Sequence, residues 1–449
     1  MEILTRTASK QAFSRASWVP LALCLGFSSV AVSELRSIAR SRQTDPRPRV
    51  ISGTTFETSE IVEGATLSPN GSAIALVTSK LTPSEAPNEG DKNAVVEIWS
   101  IEKAKYIARL NLSSFHYLLR GGIPKPETRA GERFIRYASD GKLLVYDGED
   151  LHVLESSSGT APEPASLQLR ETQRIHLDLA LPQGNTLVHS MEVTRDGSRA
   201  ALGICNPREG SSLTIRVYDL LSRSILQQWK FGTGCVFSGF SSLSWDSQGA
   251  RLAVSLPYSA GSPHPFSFLM NKNHVYVLDV KSGKILHDIR TGYIAGPICF
   301  ASNETVLTAS LNADSSYFRE DTIREWNVNT GRLVREIGGP PQGVHSLLAL
   351  SADGNLILGY TGREKPVEHF LENEYLEFGL WDHQTGRLVA TSGHIERPRP
   401  SNPLDKQVGR GHSSFGGGND RMVMAEAGNK VLVWWQQSSR PFLIYDIGL

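Results

Sequence analysis

The chain has 449 residues, 40% of them apolar and 20% charged, which is an ordinary balance for a globular protein with a large core. Lysine plus arginine and aspartate plus glutamate number 46 each, so the formal net charge is zero. Proteins that bind nucleic acid or acidic membrane surfaces usually carry a basic excess, and this balance therefore argues against both kinds of partner.

The first fifty residues indicate export. Lys10 and Arg15 precede an apolar run from Trp18 to Val32, with small residues around its end. This order is typical of a secretory signal peptide, and the run is shorter than the ~20 residues that span a membrane. We therefore expect a signal peptide in residues 1–33, a linker in residues 34–49 and an exported protein, periplasmic or secreted.

Two alternatives for the N-terminal segment remain open. The first is an uncleaved membrane anchor through residues 18–32, which is the one way in which the sequence predicts membrane association. The second is an organelle transit peptide, since the region is rich in Ser and Arg and poor in acidic residues.

From Val50 onward, short apolar runs alternate with clusters of turn residues, and this pattern predicts β-strands. Five similar turns each stand between two apolar runs: SPNG (68–71), SDGK (139–142), RDGS (195–198), SQGA (247–250) and SADG (351–354). Gly beside Asp or Asn favours the positive backbone angles of a tight hairpin. Each group therefore predicts a turn between two antiparallel strands.

Two further landmarks recur after these turns. One is an apolar strand ending in an aromatic residue or Leu, at Trp99, Leu154, Tyr218, Leu278, Trp326, Trp381 and Trp434. The other is a turn followed by a further strand, at KSGK (281–284), NTGR (329–332) and QTGR (384–387). Four strands repeated seven times predict an all-β fold, a single β-propeller of seven four-stranded blades in residues 50–449. The segment from Val50 to Phe56 has no blade of its own, and we expect it to pair with the last blade and lock the ring.

Three segments, VYVLDVKSGKIL, IREWNVNTGRLV and FGLWDHQTGRLV, resemble blades of the WD-repeat β-propeller superfamily. The resemblance extends over roughly residues 50–449 and implies the fold without identifying a function. A literal WD dipeptide closes one of the aromatic strands, at Trp381-Asp382, and Gly-His pairs occur late, at Gly393 and Gly411. The repeats are also longer than the ~40–45 residues of regular WD repeats, so the chain is WD-like.

The loops predicted after the second strand of a blade are long in five blades: 79–94, 206–212, 257–273, 312–321 and 360–377. Because strand direction alternates, these loops share one face, which we call the long-loop face, and the tight turns share the other, the short-turn face. Extra residues gathered on one face of a repeat fold often mark the binding face. Loop lengths also drift because insertions cost little, and this alternative remains open.

Aromatic and acidic residues of these loops are the candidate binding site for a protein or peptide partner. They are Tyr258, His264, Phe266, Phe268, Tyr317, Glu364, Glu368, Phe370, Glu374 and Tyr375. We expect the aromatic side chains to form an apolar patch with an acidic rim. The competing outcome is that they fold back and pack against their own loops.

The four cysteines, Cys24, Cys205, Cys235 and Cys299, contain no C-x-x-C pair, so a zinc or dithiol site has no support. Cys205 and Cys235 are expected near the same face of adjacent blades, and a disulfide between them would suit an oxidising compartment. Cys299 lies in an apolar strand and is expected to be a buried thiol.

The chain carries no convincing enzyme signature. GHSSFG (411–416) resembles a serine nucleophile elbow, but Phe415 occupies the second glycine position. Neither H-E-x-x-H nor a phosphate-binding G-x-x-x-x-G-K-[ST] motif occurs. We therefore expect a non-catalytic interaction module without metal or cofactor. The alternative is a propeller enzyme, similar to lactonases, quinone-cofactor dehydrogenases or peptidases, whose central-channel residues come from several blades.

We expect the mature protein to begin near Val32 to Glu34, because the apolar run ends there among small residues. N-terminal sequencing of the protein recovered from the exported fraction checks this expectation. A chain that still begins at Met1 would indicate an uncleaved anchor.

Overall fold

A computed structural model describes sixteen segments of the chain. They are residues 48–58, 61–79, 94–112, 134–147, 150–157, 168–177, 187–206, 212–234, 242–256, 274–291, 294–311, 320–338, 346–360, 375–396, 420–435 and 442–448. Residues from Pro48 onward form one compact unit. The predicted signal peptide and most of the predicted linker lie outside the described residues.

Seven antiparallel sheets form the blades of a β-propeller, and within each the strands are called a to d from the channel outward. Blade 1 has β3 (Ile61–Leu67), β4 (Ala73–Ser79), β5 (Ala94–Ser100) and β6 (Lys105–Asn111). Blade 2 has β7 (Phe134–Tyr137), β8 (Leu143–Tyr146), β9 (Asp150–Ser157) and β10 (Gln168–His176). Blade 3 has β11 (Leu187–Val193), β12 (Arg199–Asn206), β13 (Ser212–Asp219) and β14 (Ser224–Gly234).

The next two blades repeat the same order. Blade 4 has β15 (Ser242–Trp245), β16 (Arg251–Ser255), β17 (His274–Asp279) and β18 (Ile285–Arg290). Blade 5 has β19 (Ile294–Phe300), β20 (Thr305–Leu311), β21 (Glu320–Asn327) and β22 (Leu333–Gly338).

The last two blades recruit strands from the N-terminal segment, β1 (Arg49–Val50) and β2 (Gly53–Phe56). Blade 6 has β23 (Ser346–Leu350), β24 (Leu356–Tyr360), β26 (Phe378–Asp382) and β27 (Leu388–Thr391), with β1 added parallel to β27. Blade 7 has β29 (Asp420–Met424), β30 (Lys430–Trp435) and β31 (Phe442–Asp446), and β2 is its strand d. A two-stranded ribbon, β25 (Tyr375–Leu376) with β28 (Ile395–Glu396), flanks blade 6.

The ring closes because the a strands contact one another in chain order and β29 returns to β3. Seven apolar clusters fill the seven junctions between blades. Along β8, Leu143 and Val145 pack toward blade 1, whereas Leu144 and Tyr146 pack toward blade 3. Successive side chains of a strand point to opposite faces, so a blade buried on both faces needs the unbroken apolar runs seen in the sequence.

The expected locking segment is confirmed, since β2 pairs antiparallel with β31 from Gly53↔Tyr445 to Phe56↔Phe442. The buried Phe56 ring stacks on Phe442, with centroids 5.3 Å apart and planes 8° apart. A Cβ at Gly53 would lie 2.7 Å from the Tyr445 ring, so only glycine allows this close approach.

The strand assignment predicted for the last blade is wrong by one strand. Trp434 lies on the second strand, β30, and Tyr445 of β31 takes the place expected for it. The innermost strand of this blade is β29. Because the N-terminal segment supplies strand d, the C-terminal region needs to provide only three strands. The turn before β30 has no Asn or Asp in front of its glycine, but Gly428 still adopts a φ of 68°.

Among the described residues, no helix is long and apolar enough to cross a membrane. The apolar run at residues 18–32 is outside this part of the chain, so the anchor remains a prediction.

Replacing Phe56 by Ala should lower the free energy of unfolding by about 3 to 5 kcal/mol, because it removes a buried aromatic ring from the seam. Val50→Ala is the matched control, since Val50 belongs to the same segment but is 70% exposed. We expect that control to stay within ~0.5 kcal/mol of the wild type in denaturant unfolding. Equal effects of the two substitutions, or unchanged stability after removal of residues 47–57, would contradict the locking role.

Candidate functional site

The strand order fixes which connections share a face. In each blade the a–b and c–d connections leave the sheet at one end and the b–c connection at the other, because neighbouring strands are antiparallel. The connections after β4, β12, β16, β20 and β24 therefore belong to one face, as predicted. This is the long-loop face, and the tight turns with positive-φ glycines, such as Gly249 and Gly331, belong to the short-turn face.

Most candidate binding residues lie outside the described residues. These are Tyr258, His264, Phe266, Phe268, Tyr317, Glu364, Glu368, Phe370 and Glu374. The tenth, Tyr375, lies on β25, where its partner across the ribbon is Glu396. The proposed clustering of these side chains stays a prediction.

The cysteines divide in the same way. Cys205 is the second-last residue of β12, as expected, but Cys235 lies outside the described residues, so their disulfide stays a prediction. Cys299 is free and buried, as expected. Burial, and then the nearby charge of Glu192, raise the pKa of its thiol to about 12, so Cys299 remains a protonated and inert thiol.

On the short-turn face, the a–b turns are tied to one another by backbone hydrogen bonds. Ala352 N donates to Glu426 O at 2.7 Å, joining blades 6 and 7. Ala427 N donates to Pro69 O at 2.9 Å, joining blades 7 and 1. Ser139 N donates to Arg195 O at 2.8 Å, joining blades 2 and 3. This face is therefore a fixed rim around the channel.

The side chain of Glu426 crosses the channel mouth on this face. Its carboxylate accepts the Ser139 hydroxyl at 2.6 and 2.8 Å and lies 3.8 Å from Nε of Arg195. These residues belong to blades 7, 2 and 3, and blades 7 and 3 stand almost opposite each other in a ring of seven. The channel is thus spanned at the short-turn face.

Within the channel, Arg136 on β7 and Glu192 on β11 form an ion pair between adjacent blades, with Nε and Oε2 3.4 Å apart. The Glu192 side chain is 34% exposed. Enclosure raises the pKa of this carboxyl, and the Arg136 charge only partly offsets that effect. The pair is locally neutral.

A network of acidic residues and histidines occupies the b–c turn of blade 2, which the sequence analysis did not single out. His152 on β9 is fully buried between two carboxylates: its Nε2 lies 2.7 Å from Asp147 and its Nδ1 3.2 Å from Glu171 on β10. Arg174 binds the same Glu171 at 2.8 and 3.1 Å. The feature of the sequence that could have indicated this network is a histidine within the otherwise apolar run LHVL.

This network is built as an internal clasp. Asp147, Asp150 and His152 are close enough to share a cation, but both His152 nitrogens already face carboxylates. Asp150 in turn pairs with the exposed His176 at 2.8 Å. Burial alone would lower the pKa of His152, but the hydrogen bonds and charges of Asp147 and Glu171 outweigh it and raise the pKa. When it is protonated, the imidazole joins strands c and d to the long-loop end of blade 2.

Seven four-stranded antiparallel blades closed by an N-terminal strand define this protein as a seven-bladed β-propeller with a WD-repeat-like fold. A comparison with solved structures finds 914 matching chains.

One of the matching chains is Raptor from Chaetomium thermophilum, with a TM-score of 0.52 and 10% sequence identity. The match covers 92% of this chain and 31% of the Raptor chain, so this protein spans about a third of that chain's length. At this identity the likeness shows the fold alone. No protein-family model matches the sequence, and no curated protein matches it either.

His152→Gln should lower the free energy of unfolding by roughly 3 to 5 kcal/mol near pH 6, because it leaves two carboxylates without the buried cation between them. The stabilisation from a histidine with a raised pKa is complete below its unfolded-state pKa of ~6.5 and disappears as the pH rises through the folded-state pKa. The wild type should therefore lose stability from pH 6 upward, and the variant should not.

Urea unfolding at a series of pH values measures this difference. His176→Gln is the control, because that side chain is 73% exposed and should leave the pH dependence in place. If the free energy of unfolding changed equally with pH in the wild type and in His152→Gln, the charged clasp would be contradicted.

Proposed function

We propose that the protein is a non-catalytic interaction module that holds a protein or peptide partner on its long-loop face. The observation that carries this proposal is the difference between the two faces. The described a–b turns of the short-turn face are tight, and backbone hydrogen bonds join them between blades 2 and 3, 6 and 7, and 7 and 1, whereas five blades have long b–c connections on the opposite face. A fixed scaffold that presents variable loops on one side is the usual arrangement of a binding surface.

The loop composition supports a particular kind of partner. Residues 257–273 combine aromatic side chains with prolines, which provide contact area at low entropic cost. Residues 360–377 add five glutamates among aromatic residues. A partner with apolar anchor residues and flanking basic residues would complement both loops.

The N-terminal segment supports the proposal that this binding takes place outside the cytoplasm. A positive start, an apolar run and small residues are features of a signal peptide. The buried free thiol Cys299 is compatible with an oxidising compartment, because it is shielded from partners.

The alternative, a propeller enzyme, has less support among the described residues. The only group of three or more His, Cys, Asp or Glu side chains there that could share a metal ion is the blade 2 clasp, which faces away from the channel. In the described channel lining, Arg136 and Glu192 neutralise each other.

The proposal predicts that removing aromatic residues from the long-loop face abolishes partner capture. Proteins bound to the tagged full-length chain are compared with those bound to a Tyr258→Ser, Phe266→Ser and Phe268→Ser variant. The control variant carries Leu221→Ser, Ile225→Ser and Ile285→Ser, which changes three exposed apolar side chains near the c–d turns of blades 3 and 4.

We expect the partner to be lost from the loop variant, with affinity reduced at least 10-fold, and retained by the control. Circular dichroism and thermal melting establish that both variants are folded. A partner that survives the loop changes, or is lost only from the control, would contradict the proposal.

A further inference from the structure

An open cleft of about 690 Å³ separates blades 1 and 2 on the short-turn face, away from the proposed partner surface. Its floor is apolar, formed by Ile98, Ile107, Leu143, Leu154 and Leu169. The a–b turns of both blades and Lys430 of blade 7 form its lip. Ligand pockets usually measure about 300 to 1,000 Å³, so the cleft has room for a large side chain and its backbone.

Blade 1 has a small residue at a position where blades 3 and 4 carry a bridging side chain. Strand b begins with Arg199 in blade 3 and Arg251 in blade 4, and each guanidinium donates to a backbone carbonyl in the a–b turn of the next blade, Gly249 O at 2.6 Å and Asn303 O. The same position of blade 1 is Ala73, which lines the cleft. No side chain from this position can reach blade 2.

The c–d connection of blade 2 is longer than those of blades 4 to 6. In blades 4 to 6 this connection is a tight turn that packs on the outer strand of the preceding blade, as Gly386 does against Ile337 and Gly283 against Gln227. In blade 2 strands c and d are joined by ten residues, 158–167, and the flanking Ser156 and Leu169 line the cleft.

One polar group at the cleft wall has no partner. Among the described residues, no side chain or backbone group forms a hydrogen bond with the Tyr137 hydroxyl, which lines the cleft at the end of β7. Burial raises the pKa of this phenol far above its usual range, so it stays protonated and can donate. A donor without an acceptor at the wall of an apolar cleft is suited to a ligand carbonyl.

The charges at the lip cancel. Asp140 pairs with Lys142 at 2.5 Å and Lys430 with Asp446 at 2.7 Å, while Glu102 and Lys103 are adjacent in sequence and opposite in sign. A multiply charged ligand such as a nucleotide would find no net countercharge. The lining fits an uncharged group.

We infer that the cleft between blades 1 and 2 is a second binding site, which takes one large uncharged apolar side chain of a partner protein and hydrogen-bonds the adjacent backbone carbonyl through Tyr137. This site is independent of the long-loop face and lies on the opposite side of the ring.

The probes are N-acetyl-L-leucine methylamide and N-acetyl-L-phenylalanine methylamide, titrated into the full chain and followed by protein-observed NMR shifts of groups near the cleft. N-acetylglycine methylamide, which lacks the side chain, is the control ligand. We expect at least one of the two probes to bind with a dissociation constant on the order of 1 mM, as is usual for so few atoms. If neither probe shifts any signal at a concentration about 20 times this dissociation constant, the inference is overturned.

Ala73→Arg is the decisive variant, because it should close the cleft in the way that Arg199 and Arg251 close theirs. Binding should weaken at least 10-fold, while the melting temperature stays unchanged or rises. Tyr137→Phe should weaken binding by about 2- to 10-fold through loss of one hydrogen bond. If Ala73→Arg binds the probe as tightly as the wild type does, the probe binds elsewhere on the protein. That result would overturn the inference.

Lys103→Ala is the matched control at the lip, and it should change binding less than about 2-fold because the ligand is uncharged. A loss of 10-fold or more in this variant would contradict the proposed ligand class. If Ala73→Arg fails to fold, Ala73→Leu fills the same space with an apolar side chain and should produce the same loss of binding.

Discussion

Pairing of β2 with β31 is the contact on which the other blades depend. Each blade buries both faces against its neighbours, so every junction is complete only when the ring is closed. The stack of Phe56 on Phe442 joins blade 7 to the N-terminal segment, and Trp99 of blade 1 meets the same Phe442 ring edge-on at 5.8 Å. One aromatic cluster therefore links the seam strand, the last blade and the first blade. Arg49 adds a second link, donating to the Gly448 carbonyl at 3.1 Å.

The junctions share an apolar filling but differ in their polar ties. Arginines bridge blade 3 to blade 4 and blade 4 to blade 5, whereas between blades 5 and 6 Arg335 binds the backbone carbonyls of His383 and Gln384. The His383 and Arg335 side chains lower the pKa of the Glu325 carboxyl to about 2. Apolar burial supplies most of the stability in such a ring, and polar contacts fix the angle between blades. In the described part of the chain, no arginine forms such a tie between blades 1 and 2.

The sequence predicts the repeat well because the fold depends on local rules. Positive φ at Gly71, Gly141, Gly197, Gly249 and Gly354 requires glycine, and the same turns were the landmarks of the prediction. The prediction for the last blade was shifted by one strand because the fourth strand of that blade comes from the far end of the chain.

The side-chain sites are less predictable from sequence. His152 binds Glu171, and Glu426 reaches Ser139 across almost three hundred residues, so neither contact follows from spacing. The cleft depends on an alanine at a position whose meaning appears only after the blades are superimposed. Sequence patterns report turns and burial, whereas these contacts depend on which blades become neighbours.

The seam also constrains how the chain can be made. β2 leaves the ribosome nearly four hundred residues before its partner β31, and at roughly 5–20 residues per second this interval is on the order of 20 to 80 s. Throughout that time the strand that will complete the seventh blade has no sheet to join, and the incomplete ring presents an unpaired edge of the kind that invites wrong pairing. Correct folding therefore requires that β2 stays unpaired until β31 is released. Either a helper protein or a fast folding step at the C-terminus would have to ensure this.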